Sequence, residues 1–310
     1  MLRAAYAEFL SFVEGLRSTG DGSHAGAVRT YYEQCDFQYR VLGGRSLGMH
    51  YGMWDAGART HAEASLRTNE VMADAAAVAT DEEVLDAGCG FGGSSLWLAE
   101  RRRARVHGIS TAAVQVRRAE RLAAARGLSD RCGFSVRSYD RTGFADGSFD
   151  VCWFLESLCH SEDTGTVVAE AHRLLRPGGR IAIADGFRVR RPESALDENR
   201  LRHFLGSWVV FDLDTPGELE RKIRSSGFVE FTFRDLTAAV LPDARWLYRR
   251  ARRVWPVARA FDAVGLIRPA QLANLRAALL QHDIIADGLF KYGLVVARKA
   301  ARERPDGTSV

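Results

Sequence analysis

Apolar side chains recur at roughly helical spacing from Leu2 to Leu16, which predicts a helix, and a Gly/Ser-rich break follows at Ser18–Gly26. An aromatic-rich stretch with Tyr31, Tyr32 and Tyr39 leads to Gly43-Gly44 and then to Leu47-Gly-Met-His-Tyr-Gly-Met-Trp54. An Ala-rich run predicts a long helix over Thr60–Ala79. From Glu83 the pattern changes to short apolar runs alternating with helical ones, as in a parallel α/β sheet. Strands are predicted at Glu83–Ala87, Arg105–Ile109, Gly133–Val136, Phe149–Phe154 and Arg180–Asp185. Helices are predicted at Gly93–Arg102, Ala112–Arg126 and Thr164–Leu175, the last one stopped by Arg176-Pro-Gly-Gly179. Beyond them the pattern predicts helix Glu218–Ser226, strand Phe228–Asp235, an Arg/Trp-rich insertion Ala238–Leu266, helix Pro269–Gly288 and strand Leu289–Arg298. The expected organisation is an N-terminal lid (1–62), an α/β core (63–236), a helical cap insertion (237–288), and a final strand and tail (289–310).

Composition changes this picture little. With 310 residues, 46% hydrophobic and 26% charged, the chain is an ordinary globular protein with room for one large domain and a cap. A formal charge of +4 does not call for nucleic acid, and no recognised nucleic-acid-binding module is present. Cys35, Cys89, Cys132, Cys152 and Cys159 are scattered without C-x-x-C spacing, so neither a disulfide framework nor a zinc site is expected. The first residues carry Glu8 and lack an unbroken apolar core, and no apolar stretch reaches membrane-spanning length. A cytoplasmic protein is expected, with homo-oligomerisation left open.

The sharpest chemical signal is Val84-Leu-Asp-Ala-Gly-Cys-Gly-Phe-Gly-Gly93, a strand that runs through a glycine-rich turn into a helix. Such a turn lets the backbone approach a ligand closely and offers free N–H groups. Gly88, Gly90 and Gly93 alone also satisfy the dinucleotide fingerprint G-x-G-x-x-G. Asp86, two residues before the first glycine, suits a cationic amine and would repel a pyrophosphate. A dinucleotide site also expects an acid after the next strand, where this chain has His107-Gly-Ile-Ser110.

The runs Asp146-Gly-Ser-Phe-Asp-Val-Cys-Trp153 and Leu174-Leu-Arg-Pro-Gly-Gly-Arg-Ile-Ala-Ile-Ala-Asp185 are similar to the fourth and fifth strand motifs of class I S-adenosylmethionine (SAM) dependent methyltransferases. The resemblance implies an α/β Rossmann-like seven-stranded sheet with helices on both faces and a reversed final hairpin, Phe228–Asp235 with Leu289–Arg298. It implies SAM as cofactor, held by Asp86, Gly88, Cys89, Gly90, Gly92, Gly93 and Leu155. The missing acid matches a subgroup in which Ile109, Ser110 and Gln115 take its place near ribose and adenine, with Tyr139 and Asp140 flanking the adenine.

Phe154-Leu-Glu-Ser-Leu-Cys-His160 looks like the Glu-x-x-x-His segment of sterol C-methyltransferases and resembles terpenoid diphosphate C-methyltransferases. The Tyr31-Tyr32 and Gly48–Trp54 segments resemble the lid of the sterol, tocopherol and small-molecule group. The ending Gly288–Lys299 is similar to the tocopherol-type tail. An alkene that attacks the activated methyl leaves a carbocation nearby, which a carboxylate can stabilise and then deprotonate. Glu156 is the candidate for that role, with His160 as a second catalytic candidate. Tyr31, Tyr32, Tyr51, Trp54 and Trp153 are candidate substrate contacts.

Arg188, with Arg190 and Arg191 or the basic run Arg245–Trp255, would hold a diphosphate, with Mg²⁺ if the acceptor is one. The basic run also reads as a solvated helix or as a face resting on a membrane. The expected activity is C-methylation of a hydrophobic isoprenoid alkene, such as a prenyl diphosphate, in specialised metabolism. The alternatives are O- or N-methylation of a phenolic, sugar or amine product, or a non-catalytic SAM-binding subunit.

Overall fold

The computed structural model describes residues 12, 14–16, 22–43, 47–55 and 57–301. Most of the helix expected over Leu2–Leu16, and the tail from 302 onward, lie outside the described residues. The first full helix, α1 (His24–Gly43), is the aromatic-rich stretch, and α2 (His61–Ala75) follows behind a Thr60/Glu63 capping box. Then come β1 (Glu83–Ala87), α3 (Gly93–Arg101), β2 (Arg105–Ser110), α4 (Ala113–Ala125), β3 (Cys132–Val136) and β4 (Phe149–Leu155). A 3₁₀ turn at Leu158–His160 leads into α5 (Thr164–Leu174), β5 (Leu175–Arg188), α6 (Ala195–Ser207) and α7 (Pro216–Ser225). The chain closes with β6 (Phe228–Asp235), α8 (Thr237–Ala263), α9 (Pro269–Ala286) and β7 (Phe290–Lys299).

The strands form one seven-stranded sheet in the order β3-β2-β1-β4-β5-β7-β6. β1 to β5 run parallel, while β7 lies antiparallel between β5 and β6, which is the reversed final hairpin expected from the sequence. Because successive strand residues point to opposite faces, both sheet faces are apolar. Val84, Val106, Val151, Trp153 and Ala182 face one layer, with Leu96 of α3, Phe204 of α6 and Val240 of α8. Leu85, Cys152, Phe154, Ile181 and Ile183 face the other, with Val167 and Val168 of α5 and Ile223 of α7.

Most ends shift by a residue or two, and the larger differences are at the end of α2 and at both ends of β5, which begins at Leu175 rather than Arg180. Helix α2 stops at Ala75 rather than Ala79, because Ala77 adopts a positive φ of 47° and Arg180 donates to the carbonyls of Ala76 (2.5 Å) and Ala77 (2.6 Å). That buried guanidinium also pairs with Glu82 at 2.6 Å. Strand β5 runs on past Asp185 to Arg188, since β7 pairs with it along that whole length. Helix α6 was not anticipated, although Leu201, Phe204 and Leu205 carry its buried stripe at i, i+3, i+4. All five cysteines are free. Among the described residues no helix is long and apolar enough to cross a membrane.

Candidate active site

At the carboxyl ends of β1, β2 and β4, where open α/β sheets take their ligands, lies a cavity of about 340 Å³. The turn after β1 forms its floor. Gly88 sits at φ 91°, and a Cβ there would lie 2.4 Å from the Ser157 Cβ, so the turn packs against the residue after Glu156 with no room for a side chain. Asp86, 2% exposed at the end of β1, accepts a 2.5 Å bond from Ser95 Oγ, and burial pushes its carboxyl up to about 6. Ser110 Oγ donates to Gln115 Oε1 at 2.7 Å, which brings the end of β2 and the first turn of α4 together. Ile109, Tyr139, Asp140, Leu155, Cys89, Gly90 and Gly93 also line this cavity. The Tyr139 hydroxyl donates to the Ser157 carbonyl at 3.0 Å.

Gly92 does not belong to this lining. It starts α3 at φ 79°, and a Cβ on it would meet Ala119 at 2.9 Å and Phe134 at 3.1 Å, so it is a packing glycine.

A second cavity, about 540 Å³ and mostly apolar, lies against α1, α6, α8, α9, β5 and β7. Tyr32, Met49, His50, Glu156 and His160 line both cavities and mark where they meet. Glu156 holds a positive φ of 49°, an unfavourable conformation for a residue with a side chain. Its N–H donates to the Ala184 carbonyl (2.8 Å), and its carboxylate accepts from the Tyr51 N–H (2.8 Å). Burial pushes the Glu156 carboxyl well above the usual range, and the negative charges of Asp185 and Asp243 push it further. The buried Tyr292 hydroxyl stands close enough to Glu156 for the two to influence each other's ionisation, although it meets no strict hydrogen-bond geometry among the described residues.

His160 stands on the 3₁₀ turn. Its Nδ1 lies 3.3 Å from the Val209 carbonyl, which can only accept, so that nitrogen carries the proton. Nε2 then accepts from the Tyr32 hydroxyl at 2.8 Å. Burial lowers the ring to about 4, so it is neutral near pH 7.

Four expected substrate contacts lie elsewhere. Tyr31 is fully buried, with its hydroxyl bonded to Asn274 Oδ1 (3.1 Å), where it ties α1 to α9. Trp54 donates its indole N–H to Asp243 (2.9 Å) and anchors its segment to α8. Trp153 points from β4 into the core, fully buried, opposite in facing to Phe154. Arg188, 5% exposed, is clasped by Asp212 and by Glu198 at 3.6 Å. Arg190 and Arg191 pair with Glu193, Asp212 and Glu218 outside both cavities. Tyr51 does line the larger cavity.

Residues not anticipated include Met49 and His50, and Asp185 of the larger cavity, whose carboxyl burial raises to about 6. Its place at the carboxyl end of a predicted strand was the available signal for Asp185.

Residues 85–183 match a family model described as a methyltransferase domain. A probable tocopherol O-methyltransferase, chloroplastic, from Oryza sativa subsp. japonica is 41% identical over 272 residues, covering 81% of this chain and 72% of the rice protein. The methyltransferase GfsG of Streptomyces halstedii is 36% identical over 160 residues, 51% of this chain and 57% of its own length, so the match spans little more than half of that relative. Among solved structures, the geranyl diphosphate C-methyltransferase of Streptomyces coelicolor A3(2), in complex with Mg²⁺, geranyl-S-thiolodiphosphate and S-adenosyl-L-homocysteine, shares the fold. It is 20% identical, with a TM-score of 0.69 over 89% of this chain and 98% of that one.

Proposed function

This chain belongs to the SAM-dependent methyltransferases, and we propose that within them it methylates carbon in a neutral, lipophilic acceptor of isoprenoid character, with Glu156 taking the proton that the acceptor gives up. The observation that carries this reading is the position of Glu156, a half-buried carboxylate lining both the smaller cavity and the larger apolar one. Asp86 and Asp185 are buried, Glu156 is half-buried, and all three acids are held above their ordinary pKa chiefly by loss of water. A set of acceptors of that kind is satisfied by a cationic guest. SAM, when bound, supplies an electrophilic methyl group and leaves as S-adenosylhomocysteine.

In this reading Asp86 accepts from the amino group of the cofactor. Ser110 and Gln115 offer polar atoms to its ribose and adenine end, and Ile109 and Leu155 form an apolar wall. The two π electrons of the acceptor alkene form the new carbon–carbon bond, and a cation develops on the neighbouring carbon. Glu156 removes a proton from the next carbon, and that C–H pair becomes the new double bond. The faces of Tyr51, Trp208 and Tyr292, all on the larger cavity, stabilise the transient cation.

Arg188, Arg190 and Arg191, the arginines first expected to hold a diphosphate, favour a neutral acceptor by lying outside both cavities. Arg188, Arg190 and Arg191 are engaged by carboxylates away from both cavities, and the larger cavity carries Arg250, stacked on Trp246 at 4.7 Å. Among the described residues no three His, Cys, Asp or Glu side chains group as a metal site, so Mg²⁺ would arrive with a diphosphate acceptor. Tocopherol and geranyl diphosphate, named for the relatives above, both carry isoprenoid chains.

One observation favours a second reading. The neutral His160, hydrogen-bonded to Tyr32, could take a proton from a hydroxyl, which would support O-methylation. Mass spectrometry and NMR of products formed with SAM from prenyl alcohols, prenylated phenols and prenyl diphosphates decide between them. A new methyl bonded to carbon is expected. A methyl on oxygen would move the assignment to the second reading, and turnover of diphosphates alone would overturn the neutral acceptor.

A further inference from the structure

The mouth of the larger cavity is made of apolar side chains that face solvent. Phe37 of α1, Val254, Val257 and Phe261 of α8, and Leu266 beyond it all line that cavity, yet are 62%, 47%, 56%, 49% and 74% exposed. Isolated exposed apolar residues are ordinary, but a contiguous rim around a cavity is not. Val254, Val257 and Phe261 recur at helical spacing and so share one face of α8, with Val264 (66% exposed) continuing the row.

The same segment is strongly basic. Residues 237–268 carry seven arginines against two acids, Asp243 and Asp262. Asp243 is fully buried and bonded to Trp54, Gly52 and His61, so it offsets little of that surface charge. Among the described residues, Arg259 has an acidic partner, Asp262 at 3.7 Å, and no other arginine of the segment has one. Arg249 and Arg253 are exposed and lie a turn apart beside the apolar row.

We propose that this rim is a docking face for the surface of an anionic lipid bilayer, and that the acceptor enters the larger cavity from the membrane. Apolar side chains that insert at the headgroup boundary, flanked by arginines that reach phosphate, are what an interfacial helix needs. Charge selects this occupant over a second copy of the chain, which would bring the same arginines face to face across a twofold contact. The inference rests on reading the larger cavity as the acceptor site, but docking is measured with neither acceptor nor turnover, so either idea can fail alone.

The test is co-sedimentation of the full chain with vesicles of phosphatidylcholine alone or mixed with phosphatidylglycerol. Binding to the mixed vesicles is expected, and it should fall at least about tenfold in Val257→Asp/Phe261→Asp and in Arg249→Glu/Arg253→Glu. Circular dichroism checks the fold of each variant. Should the first double variant unfold, Phe261→Ser alone carries the same expectation of weaker binding. Failure of the unaltered chain to sediment with mixed vesicles would overturn docking, as would full retention of binding by the aspartate variant. A concentration-dependent dimer that Val257→Asp/Phe261→Asp abolishes would assign the rim to a second copy instead.

Discussion

The two cavities that meet at Glu156 are built in opposite ways. The smaller one draws most of its lining from short runs at strand ends, among them Asp86–Gly93, Ile109–Gln115 and Arg137–Asp140. The larger one is assembled across the chain: Tyr51 bonds to Gln281, Tyr31 to Asn274, and Trp208 to the same Asn274. A cofactor common to a whole family can be held by local turns whose geometry a few glycines and one acid dictate. An acceptor that differs between members is shaped by helices inserted into and after the sheet, where packing tolerates change. The two halves should therefore respond separately to mutation, with Glu156 as the place where they join.

The largest effect is expected at that junction. Glutamine at position 156 can still accept the Tyr51 N–H but cannot take a proton. Glu156→Gln should lower turnover by about 10² to 10⁴-fold, while SAM affinity measured by calorimetry stays near that of the unaltered chain. The raised pKa of Glu156 sets the sign of the pH dependence. The base must be ionised, so kcat/KM should climb as pH rises through that elevated value, and the climb should vanish in the glutamine variant. Undiminished S-adenosylhomocysteine formation by Glu156→Gln would assign proton removal to another group.

A matched pair of acids sharpens the contrast between the halves. Asp86 and Asp185 are each raised by burial from 3.8 to about 6, one in each cavity. For a carboxyl raised on folding, the unfolded chain ionises first, so stability is lost as pH rises from about 4 to about 6 and stays lost above that. Asparagine removes the penalty, which for each site is at most about 3 kcal/mol. Without cofactor, Asp86→Asn and Asp185→Asn should both melt higher than the unaltered chain at pH 7 and much like it at pH 4. With SAM present they should part: Asp86→Asn loses ligand stabilisation and Asp185→Asn keeps it. Equal loss in both would show that the cofactor's charge is shared across the junction.

This division also explains what was legible in the sequence. The β1 turn follows from local pattern, because a strand end and a glycine turn position their own side chains, while the Ser110/Gln115 pair and the reversed hairpin came from the family resemblance that the strand motifs carry. Tyr31, Trp54, Trp153 and Arg188 lie away from the cavities because residue type says nothing about facing. Trp153 alternates with Phe154 along one strand and lands on the packed side, and Arg188 meets Asp212 from 24 residues away. Met49 joins both cavities only because the segment 47–54 folds back over the turn, a contact that no local pattern encodes.

The smallest expected effect decides the chemistry at the junction. Tyr32→Phe removes the donor to His160 Nε2 and leaves that half-buried ring without its 2.8 Å partner. If Glu156 removes the proton and His160 only shapes the wall, the change should cost turnover about fivefold or less, in line with roughly 1 kcal/mol for one neutral hydrogen bond. If His160 were the base for a hydroxyl acceptor, Tyr32 would govern its basicity and orientation. Tyr32→Phe would then move the pH profile as well as the rate, and His160→Ala would match the loss seen in Glu156→Gln. Parallel pH profiles for the unaltered chain and Tyr32→Phe, with His160→Ala well above Glu156→Gln in turnover, are the outcome expected for carbon methylation.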